Sequence, residues 1–111
     1  MNSTSISGVY TALITPFYKG NVCFADLEKL VEYQIDKGIN GIIPVGTTGE
    51  SPTLTPEEHI EVIHHCIEVS SGRVPVIAGT GANSTKEAIK YTKEADKAGA
   101  DGFLQVAPYY N

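Results

Sequence analysis

The residues best suited to chemistry are Gly46-Thr47-Thr48-Gly49-Glu50, directly after the apolar run Ile42-Ile43-Pro44-Val45. Glycine lets backbone approach a ligand closely, and each threonine offers a hydroxyl and an N–H. At the C-terminal end of a parallel-type strand, such a segment suits the grip of a small carboxylate and points to an enzyme. Glycine and threonine are common in strand-to-helix turns, but a turn does not require twinned threonines. Three more segments share this place after a strand: Thr15-Pro16-Phe17, Gly79-Thr80-Gly81-Ala82-Asn83 and Pro108-Tyr109-Tyr110-Asn111. In a parallel α/β fold all four meet on one face, where active sites occur. The glycines of residues 79–83 also read simply as turning the chain. Tyr109 and Tyr110 are adjacent, so their side chains should diverge, one toward a site and one toward an interface. A packed aromatic pair at a rim is the other reading.

Nucleotide-binding patterns fail. Residues 46–51 lack the lysine of a P-loop, and Gly79-x-Gly81-x-x-Ser84 lacks the third glycine of a dinucleotide fingerprint. His59, His64 and His65 fall on one helix, with no H-E-x-x-H and no cysteine at zinc-ligand spacing. They read as solvated helix positions and no metal is expected; His59, in the first turn, lies nearest the candidate face.

The elements that must position these residues alternate strand and helix. Residues 9–14 are β-branched and aromatic and read as a strand ended by Thr15-Pro16-Phe17. Leu27, Leu30, Val31 and Ile35 mark a first helical face, and Gly38 its left-handed stop. Residues 41–45 form the second strand. Thr55 is the N-cap of the second helix, Pro56 its first residue, and Glu58 completes a capping box. Ile60, Ile63 and Ile67 are its expected buried stripe, and Gly72 ends it. Residues 74–78 form a third strand. Ser84 and Glu87 form another capping box; Ala88, Ile89, Thr92 and Ala95 are the inner stripe of the third helix, which stops at Gly99. Residues 103–107 form a fourth strand. The repeat is about 30 residues, and the strands read as apolar throughout, as when both faces are buried. The expected fold class is α/β: one domain over residues 1–111, the N-terminal half of a (β/α)8 TIM barrel with about four parallel strands and three helices. A small doubly wound sheet fits the same pattern.

Composition is that of an ordinary globular chain, with 41% hydrophobic residues. Eight basic against thirteen acidic residues give a formal charge of −5. That balance argues against nucleic acid or an anionic membrane as partner. The start of the chain has neither a basic nor an apolar leader region, and no apolar run reaches the roughly 20 residues of a membrane span. A cytoplasmic location is expected. Cys23 and Cys66, the only cysteines, read as free thiols with a disulfide as the alternative.

From residue 8 to residue 111 the chain resembles the N-terminal part of the 4-hydroxy-tetrahydrodipicolinate synthase (dihydrodipicolinate synthase) family. The resemblance rests, in order, on Thr11-Ala12-Leu13-Ile14-Thr15-Pro16-Phe17, Gly46-Thr47-Thr48-Gly49-Glu50-Ser51, Pro75-Val76-Ile77-Ala78-Gly79-Thr80-Gly81-Ala82-Asn83 and Pro108-Tyr109-Tyr110-Asn111. The wider pyruvate-dependent Schiff-base aldolases, N-acetylneuraminate lyase among them, share the Gly46 segment in altered form; the double threonine and the Pro-Tyr-Tyr-Asn run favour the synthase. The resemblance implies a (β/α)8 barrel, usually a homotetramer built from tight dimers. It implies condensation of pyruvate with L-aspartate 4-semialdehyde through a lysine Schiff base, in the diaminopimelate route to lysine, with no metal or organic cofactor. Carried over by motif, Thr48 holds the pyruvate carboxylate, and Thr47 and Tyr110 belong to a hydroxyl proton relay, Tyr110 reaching into the neighbouring subunit's site. Short hydroxyl chains can pass protons without carrying charge. Some relatives bind lysine as a feedback inhibitor; the matching positions are Ser51, Pro52, His59, Asn83, Glu87 and Tyr109, with Pro52 standing where some inhibited relatives carry alanine.

The resemblance places the Schiff-base lysine on a later strand, beyond Asn111. Lys29, Lys37, Lys86, Lys90, Lys93 and Lys97 fall on expected helices and Lys19 on a loop. Such lysines lack the desolvated pocket that lowers an amine pKa. The 111-residue chain alone is therefore expected to be inactive. Its first and fourth strands are expected to be open edges that invite association. A non-catalytic half-barrel that binds a carboxylate or a partner half is the alternative function class.

Overall fold

The computed structural model describes residues 8–45, 54–80 and 85–104. Strand β1 (Tyr10–Leu13) is followed by a hairpin, β2 (Phe17–Tyr18) and β3 (Asn21–Val22), then α1 (Phe24–Asp36) and β4 (Gly41–Pro44). Helix α2 (Pro56–Ser70), β5 (Ile77–Gly79), α3 (Thr85–Ala98) and β6 (Gly102–Leu104) complete the order. β1 pairs in parallel with β4, Tyr10 opposite Gly41 and Leu13 opposite Pro44. A parallel bridge from Ile42 to Val76 links β4 to the start of β5, and β5 pairs in parallel with β6. The four parallel strands thus lie side by side in chain order. A doubly wound sheet reverses strand order at a switch point; these strands do not, which favours the barrel.

The core is formed where the sheet meets the helices. Leu27, Val31, Ile42 and Cys66 are fully buried, and Val62, Ile63, Val76 and Ala95 nearly so. Tyr10 reaches β4 because Gly41 has no side chain; a Cβ there would collide with the tyrosine ring. Gly38 ends α1 with φ +82, the left-handed stop expected of it. Thr55 caps α2 as expected: its hydroxyl accepts from Glu58 N–H, and the Glu58 carboxylate accepts from Thr55 N–H. Arg73, just after α2, donates to both carboxylate oxygens of Glu32 on α1 at 3.0 and 2.8 Å. That bond holds the Glu32 carboxyl below its usual range.

Several expectations are corrected. The hairpin was not anticipated. Its turn residues Lys19 and Gly20 have φ +53 and +84, the two left-handed positions of a type I′ turn, which Lys-Gly signals more weakly than Asn-Gly. The first strand is shorter than residues 9–14: Val9 and Ile14 are 65% and 71% exposed. The third begins its ladder at Ile77, and the fourth runs from Gly102, with residues 105–107 outside the described set. On α2 the buried line is His59, Val62, Ile63, Cys66 and Ser70; Ile60 and Ile67 flank it half-buried. On α3 it is Tyr91 and Ala95, while Ile89 faces outward. Ser84, the expected cap of α3, lies outside the described residues. Lys37 caps α1 and is not within it.

Candidate functional site

All four parallel strands point the same way, so their C-terminal ends share one face. The described residues there are Leu13 to Thr15, Pro44-Val45, Gly79-Thr80 and Leu104. Thr15 and Thr80 are buried, at 4% and 0% exposure, and the Thr80 N–H donates to Leu104 O at 3.0 Å. Val45, directly after β4, has φ +55, a left-handed conformation that is an outlier for a buried β-branched residue. Strain of this kind gathers at ligand clamps and turns, and here it sits directly before Gly46. The sequence carried no signal for it, because a valine does not announce a left-handed site.

Of the residues singled out above, Thr47, Thr48, Ser51, Pro52, Asn83, Tyr109 and Tyr110 lie outside the described residues. His59 and Glu87 lie within them. The expectation that the three histidines are solvated fails at His59, which is 2% exposed. Its Nε2 lies 2.6 Å from Gly79 O. A carbonyl only accepts, so Nε2 carries the proton and donates. The ring stacks on Tyr91 of α3 with centroids 3.9 Å apart and planes 24° from parallel. Burial pushes the imidazole below its ordinary pKa; the Gly79 bond and the charge of Glu87 oppose that shift without overcoming it. Tyr91 was missed in the sequence. Its signal was there, since Ala88, Tyr91 and Ala95 recur at helical spacing, but Ile89 is the more apolar residue. His64 is exposed as expected, whereas His65 is half-buried with its Nε2 sealed from solvent and edge-on to Phe24 at 5.2 Å between centroids.

Among the described residues no group of three His, Cys, Asp or Glu side chains could hold a metal, and no helix is long and apolar enough to cross a membrane. Both cysteines are free, Cys66 buried and Cys23 half-buried. All seven lysines, at positions 19, 29, 37, 86, 90, 93 and 97, are exposed.

A profile of the Dihydrodipicolinate synthetase family matches residues 5–111. The 4-hydroxy-tetrahydrodipicolinate synthase of Endomicrobium trichonymphae is 60% identical over 105 residues, covering 95% of this chain and 36% of that protein. The solved synthase of Methylacidiphilum fumariolicum SolV superposes with a TM-score of 0.90 at 56% identity, over 96% of this chain and 35% of that one. The chloride-inhibited dihydrodipicolinate synthase of Acinetobacter baumannii, solved with pyruvate, gives 0.90 at 54% identity, over 96% and 37%. The chain spans little more than a third of the length of these relatives. The expected half barrel is thus half by strand count, four parallel strands of eight, and rather less by length. The fold is the N-terminal part of a (β/α)8 barrel, and the chain belongs to the Dihydrodipicolinate synthetase family.

Proposed function

We propose that this chain is the N-terminal part of a 4-hydroxy-tetrahydrodipicolinate synthase, a lyase that condenses pyruvate with L-aspartate 4-semialdehyde on the diaminopimelate route to lysine. The observation that carries the reading is the 60% identity to such a synthase over 95% of the chain. The common face of the four strand ends supports it, since this is where a barrel enzyme keeps its site. Thr48 binds the pyruvate carboxylate, while Thr47 and Tyr110 pass protons between substrate and solvent. The covalent step joins a lysine amine to pyruvate C2: the carbonyl oxygen leaves as water and an imine forms. The enzyme works without a metal or organic cofactor, in the cytoplasm, as a homotetramer of tight dimers. Ser51, Pro52, His59, Asn83, Glu87 and Tyr109 are the residues that a lysine feedback site would use.

The imine lysine is not in residues 1–111. A Schiff-base amine must be desolvated so that its neutral form is populated near pH 7, and every lysine here faces solvent. Borohydride reduction in the presence of pyruvate tests both parts. The protein that carries this chain at full length should gain one stable pyruvate adduct. The 111-residue chain alone should gain none, and an adduct on it would refute the assignment of the lysine. A full-length protein that neither traps pyruvate nor consumes the semialdehyde would sink the synthase reading itself.

A further inference from the structure

We propose that His59 is a positioning residue: it fixes the start of α2, the C-terminal end of β5 and α3 against one another, and turnover at the strand ends depends on that fixation. The proposal rests on the synthase reading above. One buried side chain touches all three elements. The ring belongs to the first turn of α2, its Nε2–H donates to Gly79 O of β5 at 2.6 Å, and its face stacks on Tyr91 of α3 at 3.9 Å. Both ends of this tie lead to the candidate face. His59 N–H donates to Thr55 O within the capped first turn. Leu54, buried next to that cap, is where the chain carrying Thr47 and Thr48 enters α2. Gly79 precedes Thr80, whose N–H in turn holds Leu104 of β6. Packing against Tyr91 would be served as well by phenylalanine. What histidine adds is one directional bond from a helix start to a strand-end carbonyl, the kind of restraint that holds a site in register.

The test uses the full-length protein with two variants that divide the ring from the bond. His59→Phe keeps a flat ring against Tyr91 and loses the donor; His59→Gln keeps a donor near the reach of Nε2 and loses the ring. Three quantities are measured: kcat and KM for pyruvate, the thermal midpoint, and hydrogen exchange at the amides of residues 57–60 and Thr80. Loss of the bond should lower kcat/KM roughly tenfold, since small misplacements near a reacting centre cost up to about a hundredfold. It should also speed exchange at those amides, while His59→Gln stays within about threefold of the parent. A purely structural role would lower the midpoint in both variants and leave the kinetics per folded molecule unchanged; that outcome overturns the proposal. So does parent-like exchange in His59→Phe, or a His59→Gln no better than His59→Phe. Should His59→Phe fail to fold, His59→Leu, which also loses the donor, takes its place in the same comparison. If the parent does not turn over pyruvate, the synthase reading falls separately and exchange alone judges the tie.

Discussion

Replacing Asp101 by alanine should cost about 1–3 kcal/mol, and replacing Asn40 by alanine about 0.5, although the two side chains make the same bond. Each residue stands just before a strand and clamps the start of the neighbouring one at two points. The Asp101 N–H donates to Val76 O at 2.8 Å, and its carboxylate accepts the Val76 N–H at 2.8 Å. The Asn40 N–H donates to Val9 O at 2.9 Å, and its Oδ1 accepts the Val9 N–H at 2.8 Å. What differs is the clamped residue: Val76 is 1% exposed and Val9 65%. Without the carboxylate, the part-buried Val76 N–H loses its acceptor in a residue that is itself 1% exposed, and it bears much of the desolvation penalty of an unmet donor. Without the Asn40 amide, water reaches the Val9 N–H and replaces most of what is lost. Asp101→Asn keeps an acceptor and should fall between the two. The assay is urea unfolding of the full-length protein, compared at constant m, with native-state exchange of the two amides as the local readout. A loss of 1–3 kcal/mol corresponds to exchange at Val76 faster by about fivefold to a hundredfold or more, with little change at Val9 in Asn40→Ala. Equal losses for the two alanine variants would refute the reasoning, because geometry and not burial would then set the cost.

Two further outcomes follow from burial. His59 has its pKa lowered in the folded state, chiefly by desolvation. Its contribution to stability is therefore full above the ordinary imidazole value of about 6.5 and is lost as pH falls through the lower folded value. Unfolding free energy should decline on acidification from pH 7 to 5, and His59→Phe should flatten that decline. Tyr91, Glu87 and Glu57, the neighbours that shape the local field, should be held constant, and an equally steep decline in His59→Phe would count against the assignment. Cys66 is fully buried and its thiol is pushed up to about 12, so it should resist a thiol reagent at pH 8 until the protein unfolds; rapid stoichiometric labelling of Cys66 in the native protein would contradict this.

Apart from the hairpin, element order was legible in the sequence because caps and stops are local. Thr55-Pro56-x-Glu58 wrote the start of α2 in four residues, and Gly38 wrote the end of α1, since each acts on backbone within one turn. The strand-end face was legible in the repeat and by family resemblance, while the paired threonines expected on it lie outside the described residues. Its geometry was not. Val45 adopts a left-handed φ that its side chain disfavours, so tertiary packing overrides the local preference there. His59 was misread because polarity was taken to imply exposure. One bond to a carbonyl and one stacked ring are enough to keep an imidazole inside, and both partners are remote in sequence.

The misjudged stripes have a common physical cause. A barrel helix is buried on as many sides as it has neighbours. α2 packs on β4 and between α1 and α3, so its buried line broadens to include His59, Cys66 and Ser70, and the isoleucines at 60 and 67 need not lie at its centre. α3 packs chiefly on α2 among the described helices, and its Ile89 is left half exposed at 50%. The same holds across the sheet. β4 and β5, each with parallel neighbours on both sides, are almost wholly buried, whereas β1 and β6 are only partly covered and leave Val9, Ile14 and Phe103 in solvent. An apolar run tells that a strand is made for burial; which of its faces is buried in a given chain depends on the neighbours that chain supplies.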